Sequence, residues 1–263
     1  MEIICSSYSR TPVKAMLFDF DGTVSTLRCG WEKVMGPLFC EVLDDGSLTE
    51  TELKRKVDAY IDESTGIQTA LQMEWLKAEV EKQGRKALDI WEYKDEYNDR
   101  LMKDIKRKLA AIESGELRAD DFLMAGAVEF LNALKEKGIK IYVASGTDHP
   151  DVVNEATALG VIGCFDEIKG APLREKSCSK EAVIKRLIEE NGLNGSELCV
   201  CGDGKVEIAL GKAAGARAIG LASNEKERRG VDMTKRDRLI KAGADIIVGD
   251  FLDKDALFKF LGY

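Results

Sequence analysis

The first sustained apolar run in the chain is Ala15-Met16-Leu17-Phe18, and it leads directly into Asp19, Phe20, Asp21 and Gly22. A run of that length ended by a turn signal predicts a strand buried on both faces of a parallel sheet. Helical periodicity then takes over and lasts to about Leu117. Thr49-Glu50-Thr51-Glu52 fits a capping box, and Leu53, Val57, Tyr60 and Ile61 follow on one face. Leu101, Ile105, Leu109 and Ile112 form a second stripe, on a long helix predicted to begin near Lys86. The polar stretch from Asp62 to Gln68 carries Gly66 and reads as the joint between two helices. From Asp120 onward helix and strand patterns alternate. One helix is predicted to end near Gly138, and strands are predicted at 139–144, 164–168, 198–201, 218–221 and 245–248. Such alternation predicts βαβ units, hence an α/β fold with a doubly wound parallel sheet. The helical stretch sits inside it as an insertion, so the expected organisation is core 1–27, helical domain 28–118 and core 119–263.

Composition narrows the function classes. The 263 residues are 44% hydrophobic and 33% charged, with a net charge of −8, which suits a globular chain of one large or two modest domains. That acidic balance speaks against a nucleic-acid partner, but one local cationic pocket could still take a small phosphorylated ligand. Seven cysteines, at positions 5, 29, 40, 164, 178, 199 and 201, include no pair at zinc-ligand spacing. They read as free thiols, with Cys199 and Cys201 as small buried hydrophobes in a strand. No stretch approaches membrane-span length and Ile3-Ile4-Cys5 is too short for a signal-peptide core, so a cytoplasmic protein without a membrane partner is expected.

The candidate chemistry gathers where strands end. Asp19 and Asp21 would lie just past the carboxyl end of the first buried strand, the edge at which open α/β sheets bind ligands. Asp-x-Asp-Gly alone is equally an ordinary turn. Two acids side by side, however, call for a cation or a proton between them, and Mg²⁺ is the simplest remedy. Cys199-Val200-Cys201-Gly202-Asp203 repeats the pattern of an apolar strand followed by an acid, with Glu207 one helical turn beyond. Asp19, the backbone carbonyl of Asp21 and Asp203 would together suit the few-carboxylate octahedron of Mg²⁺. Ser145-Gly146-Thr147 ends another strand with a hydroxyl and a close-approach amide for an anion, although loops commonly contain such residues. Lys180 follows Ser179, the predicted N-cap of a helix. A cation is disfavoured there by the helix dipole, so the position suggests phosphate binding, even though lysines at helix starts are common.

Taken in order, Asp19-x-Asp21-Gly-Thr, a strand ending in Ser145, Lys180 and Gly-Asp203-Gly-x-x-Glu207 resemble the motifs of the haloacid dehalogenase superfamily, in its phosphatase-type members with a helical cap. The resemblance implies a Rossmann-like core in which Asp19 is the nucleophile, forming an aspartyl phosphate, and Asp21 the general acid and base. It implies phosphate binding by Ser145, Gly146 and Lys180, with Lys176 a nearby alternative. Mg²⁺ would be held by Asp19, Asp21 and Asp203, with Glu207 reaching it through water or pairing with Lys180. Residues 28–118 would be the cap, whose turn at Thr65, Gly66 and Gln68 would dip into the site and select the substrate. The implied activity is a Mg²⁺-dependent phosphatase of small phosphorylated metabolites, such as sugar phosphates or phosphoglycolate-like compounds, working as monomer or homodimer. A phosphomutase or an idle phosphate binder are the alternatives. His149 is expected outside this chemistry, the charged run from Glu225 to Arg238 on a solvated face, and Trp31, Trp75 and Trp91 in the core of the cap.

Overall fold

The computed structural model describes residues 1–176 and 180–263, so the predicted N-cap Ser179 and the thiol of Cys178 lie outside the described residues. A seven-stranded sheet forms from β1 (Glu2–Ile3), β2 (Ala15–Phe18), β3 (Lys140–Asp148), β4 (Glu167–Ala171), β5 (Leu198–Gly202), β6 (Arg217–Leu221) and β7 (Ile246–Val248). Across the sheet the order is β1-β7-β6-β5-β2-β3-β4, and every pairing is parallel except β1 with β7. The two-residue antiparallel edge was not predicted, because so short a segment carries no periodicity.

All residues of β2 are buried, and their alternation explains the continuous apolar run. Met16 and Phe18 enter the main core with Phe130, Ile141 and Phe260, while Ala15 and Leu17 pack on the opposite face with Val183, Leu187 and Val200. Cys199 and Cys201 do serve as buried hydrophobes on β5. Burial pushes the Cys199 thiol up to about 12.

After β2 the chain builds β3 and β4 on one side, then crosses to place β5, β6 and β7 on the other. The reversal falls at β2, and connections leaving in opposite directions open a crevice at its carboxyl end.

Between β2 and β3 stand α1 (Glu32–Leu43), α2 (Glu50–Ser64), α3 (Thr69–Lys82) and α4 (Ile90–Glu113), then α5 (Ala127–Glu136). The first four enclose a separate apolar core of Met35, Phe39, Val57, Met73, Leu76 and Tyr93 among others, against which Trp31, Trp75 and Trp91 pack partly buried. Trp75 stacks on Tyr60 with ring centroids 3.8 Å apart. Thr49 forms the predicted capping box with Glu52. The long helix α4 starts at Ile90, not near Lys86, because Asp89 caps it by accepting the Trp91 N–H at 3.0 Å. Leu101 and Ile105 fill the cap core, whereas Leu109 and Ile112 reach the main core, so α4 joins the two.

The remaining helices are α6 (His149–Ala158), α7 (Lys180–Glu190), α8 (Lys205–Ala213), α9 (Met233–Lys241) and α10 (Lys254–Leu261). The strand predicted at 164–168 begins instead at Glu167. Residues Ile162–Cys164 form a 3-10 turn that buries Cys164, and the Asp166 carboxylate accepts the Ile141 N–H at 2.8 Å, which sets the start of pairing with β3. Strand β3 runs on to Asp148 through a register irregularity after Ala144, so Ser145 lies within it. Among the described residues no helix is long and apolar enough to cross a membrane.

Candidate active site

The backbone N–H of Asp19 donates to the Cys201 carbonyl at 2.9 Å, extending the sheet by one residue and fixing the carboxylate at the crevice. Gly22 then turns the chain with φ +71°, and a Cβ there would meet Asp203 Oδ2 at 2.3 Å. Glycine is required both for the conformation and for the approach of Asp203.

Lys180 Nζ donates to Asp19 Oδ1 at 2.8 Å and to Glu207 Oε2 at 3.0 Å, and the other Glu207 oxygen accepts the Gly204 N–H at 2.6 Å. On the far side of the site Lys235 Nζ pairs with Asp203 Oδ2 at 2.7 Å and Glu225 Oε1 at 2.6 Å. Burial pushes Asp19 well above the usual carboxylate range; Lys180 pulls it down, while Glu207 and Asp203 add to the rise. Lys180 is lifted despite its burial, by Asp19 and Glu207, and stays charged.

Asp21 is held separately. Its Oδ2 accepts from Thr147 Oγ1 at 2.8 Å and Ser145 Oγ at 3.4 Å, while Oδ1 is buried without a hydrogen bond from the described residues, 3.8 Å from Arg28 Nε. Arg28 is clamped by Glu155, with Nη2 and Nε at 2.6 and 3.0 Å from Oε1. Burial pushes Glu155 up to about 7, with Arg28 working against it and Asp21 adding to the rise.

These groups surround a cavity of about 100 Å³ between core and cap. Asp19, Asp21, Ser145, Gly146, Lys180 and Asp203 line the core side, and Thr65 and Gly66, on the cap turn between α2 and α3, line the cavity from the side of the cap. Gln68 does not line it: it takes the N-cap position of α3, and Gln72, one turn further on, faces the cavity instead. Lys176 is exposed and pairs with Glu74 of the cap, away from Asp19. His149 is exposed and accepts the Gly170 N–H through Nδ1, outside the cavity. The charged run from Glu225 to Arg238 is not simply a solvated face, since Lys235 and Glu225 turn inward on Asp203 and Arg238 donates to the Asp203 carbonyl at 3.3 Å.

Thr147, Arg28, Glu155, Lys235 and Glu225 are the site residues that sequence reasoning missed. Thr147 was recoverable, being two residues from Ser145 on a strand and so on the same face. Lys235 sits three residues after the helix cap Asp232, breaking the same dipole preference that drew attention to Lys180. Arg28 and Glu155 lie 127 positions apart and no local pattern connects them.

A divalent cation fits these residues. Carboxylate oxygens of Asp19, Asp203 and Glu207 lie within 4.8 Å of one another, an all-oxygen set of the kind that Mg²⁺ prefers. Together with Glu225 they place four acids against the two ammonium groups of Lys180 and Lys235, an excess of acid that a divalent cation would offset.

The family model for haloacid dehalogenase-like hydrolases matches residues 13–215. Phosphoglycolate phosphatase of Escherichia coli (strain K12) is 21% identical over 240 residues, 89% of this chain and 91% of the relative. Among solved structures, beta-phosphoglucomutase from Clostridium difficile superposes with a TM-score of 0.62 at 17% identity, covering 94% of this chain and 97% of that one. CbbY from Rhodobacter sphaeroides, solved in complex with phosphate, gives 0.56 at 20% identity over 92% and 96% of the two chains. Those neighbours share the α/β core.

Proposed function

Because this chain belongs to the haloacid dehalogenase-like hydrolase family, we propose that it is a Mg²⁺-dependent phosphatase of small phosphorylated metabolites acting through an aspartyl phosphate on Asp19. The observation that carries the reading is the convergence at one strand end of Asp19, its 2.8 Å partner Lys180, and the Asp203 and Glu207 carboxylates within 4.8 Å. A phosphoglycolate phosphatase among the relatives and a phosphate-bound neighbour support the substrate class. The six described cysteines are all free, which supports a cytoplasmic setting.

Asp19, Asp203 and the backbone carbonyl of Asp21 would hold Mg²⁺, whose charge offsets that of the phosphate oxygens and lets an anionic nucleophile approach. Glu207 is left to anchor Lys180, consistent with its bonds to that ammonium and to the Gly204 amide. Ser145, the Gly146 amide and Lys180 bind the remaining phosphate oxygens. A carboxylate oxygen of Asp19 bonds to phosphorus as the ester P–O bond breaks, and Asp21 gives its proton to the departing oxygen. Asp21 then takes a proton from water, which attacks phosphorus and returns Asp19 to its carboxylate. Thr147 orients Asp21 through the 2.8 Å bond, keeping one oxygen directed at the reacting group.

The test is phosphate release from a panel of phosphorylated metabolites, with Mg²⁺ and with chelator, for the wild type and Asp19→Asn. Chelator-sensitive release that falls by at least about 10³-fold in the variant is expected. Release undiminished in Asp19→Asn overturns the proposed nucleophile. Isomerised sugar phosphate with little free phosphate identifies a phosphomutase, and tight binding without turnover an idle binder.

A further inference from the structure

Beyond the phosphate end, the cavity is walled by the cap residues Trp31, Thr69, Gln72, Tyr97 and Leu101, none of them charged. Among the described residues lining the cavity the cations are Lys180 and Arg28. Lys180 is engaged by Asp19 and Glu207. Arg28 is surrounded by three carboxylates, with Glu155 at 2.6 Å, Asp151 at 3.6 Å and Asp21 at 3.8 Å. A leaving group bearing a carboxylate or a second phosphate would thus meet a guanidinium already bound by Glu155 and flanked by Asp151 and Asp21 rather than a free cation.

The same wall offers neutral hydrogen-bonding groups. Tyr97 is 4% exposed, and among the described residues its hydroxyl makes no hydrogen bond. Gln72 is also 4% exposed and donates through Nε2 to Ser64 Oγ at 3.1 Å, while its carbonyl oxygen takes no bond from the described residues. A ligand hydroxyl, being both donor and acceptor, can pair with either group. Trp31 and Tyr97 add aromatic faces against which the C–H side of a sugar or polyol can lie.

From these neighbours we infer that the enzyme selects phosphomonoesters of uncharged, polyhydroxylated leaving groups, such as polyol or sugar monophosphates, over carboxylated monoesters and diphosphates. The inference rests on the phosphatase reading and deepens it. It runs against the substrate named for the phosphoglycolate phosphatase relative.

The experiment measures kcat/KM with Mg²⁺ for sorbitol 6-phosphate, glycerol 1-phosphate, 2-phosphoglycolate, pyrophosphate and p-nitrophenyl phosphate. The two polyol esters should exceed phosphoglycolate and pyrophosphate by on the order of 10²-fold, since an unpaired buried group is a strong discriminator. Phosphoglycolate or pyrophosphate turned over as well as the polyol esters overturns the inference and leaves the phosphatase reading standing. No release from any compound overturns both. In Gln72→Leu and Tyr97→Phe, checked for folding by circular dichroism, the polyol-to-glycolate ratio should each time fall by about tenfold. A ratio unmoved in both variants overturns the role given to the cap wall.

Discussion

Glu155 shows how one buried side chain shapes the behaviour of the site. It is fully buried, its carboxylate clamps Arg28, and burial lifts it from an ordinary 4.5 to about 7. Between those two values the folded chain holds a proton that the unfolded chain has released. The stability this group contributes is therefore complete below about pH 4.5 and is lost as pH rises through 7. Urea unfolding from pH 5 to pH 8 should show the wild type losing on the order of 1–3 kcal/mol relative to Glu155→Gln. A difference that does not change with pH would mean that Glu155 stays ionised throughout. Nothing in the chain near Glu155 announces this role, because the partner that matters is contributed by Arg28 at the far end of the cap insertion. Asp19 and Asp203 were legible for the opposite reason: each directly follows a buried strand, and strand polarity decides which edge of the sheet receives it.

The element that brings the cap to the core is the turn between α2 and α3. Gly66 at its tip lies beside Glu207, and a Cβ on Gly146 would meet the Ile67 carbonyl at 2.9 Å. That neighbour is backbone and cannot rotate away, and Gly146 is not in the left-handed region, so alanine there tests the approach without straining its own conformation. Gly146→Ala should hold the turn off the core and lower kcat/KM by on the order of tenfold to a hundredfold, with little change in Tm. Steady-state kinetics beside thermal melts check this, and unchanged kinetics would show that the turn does not need to seat against β3. The joint itself was readable from the polar run around Gly66, whereas the cavity is lined by Gln72 of α3 rather than by Gln68 at its N-cap. Which side chain of a new helix faces inward depends on how the helix docks.

Taken together, core and cap are fastened around the cavity by charge pairs at several points. Lys94 of α4 pairs with Asp148 at the end of β3, Arg238 of α9 reaches Asp62 of α2 at 2.8 Å, and Arg174 reaches Asp95 of α4 at 2.7 Å. The acid-rich centre they surround should be relieved by Mg²⁺. A ligand bound only by the folded state at a hundred times its Kd adds about 2.7 kcal/mol. For a chain of this size that corresponds to a Tm increase of roughly 5 to 8 °C, taking about 2 to 3 °C per kcal/mol. Thermal melts with and without Mg²⁺ should show that increase in the wild type and lose most of it in Asp203→Asn. Equal shifts in both proteins would place the cation elsewhere.

Local patterning was enough for the α/β class, for the strands that carry Asp19 and Asp203, and for the Thr49 capping box, since each depends on residues within a few positions of one another. It failed for the start of α4, where Asp89 and Glu92 supply a cap after the periodic signal has begun, and for β4, where Asp166, inside the predicted span, bonds the Ile141 N–H and pairing starts only at Glu167. The charge network of the site was out of reach in the same way. Lys235 on Asp203 and Glu155 on Arg28 are encounters between segments far apart along the chain, and only the packing of α9 and α6 against the sheet edge and the cap brings them together. Short-range order follows from side-chain periodicity, but the pairing of buried charges depends on which distant elements the apolar cores hold against one another.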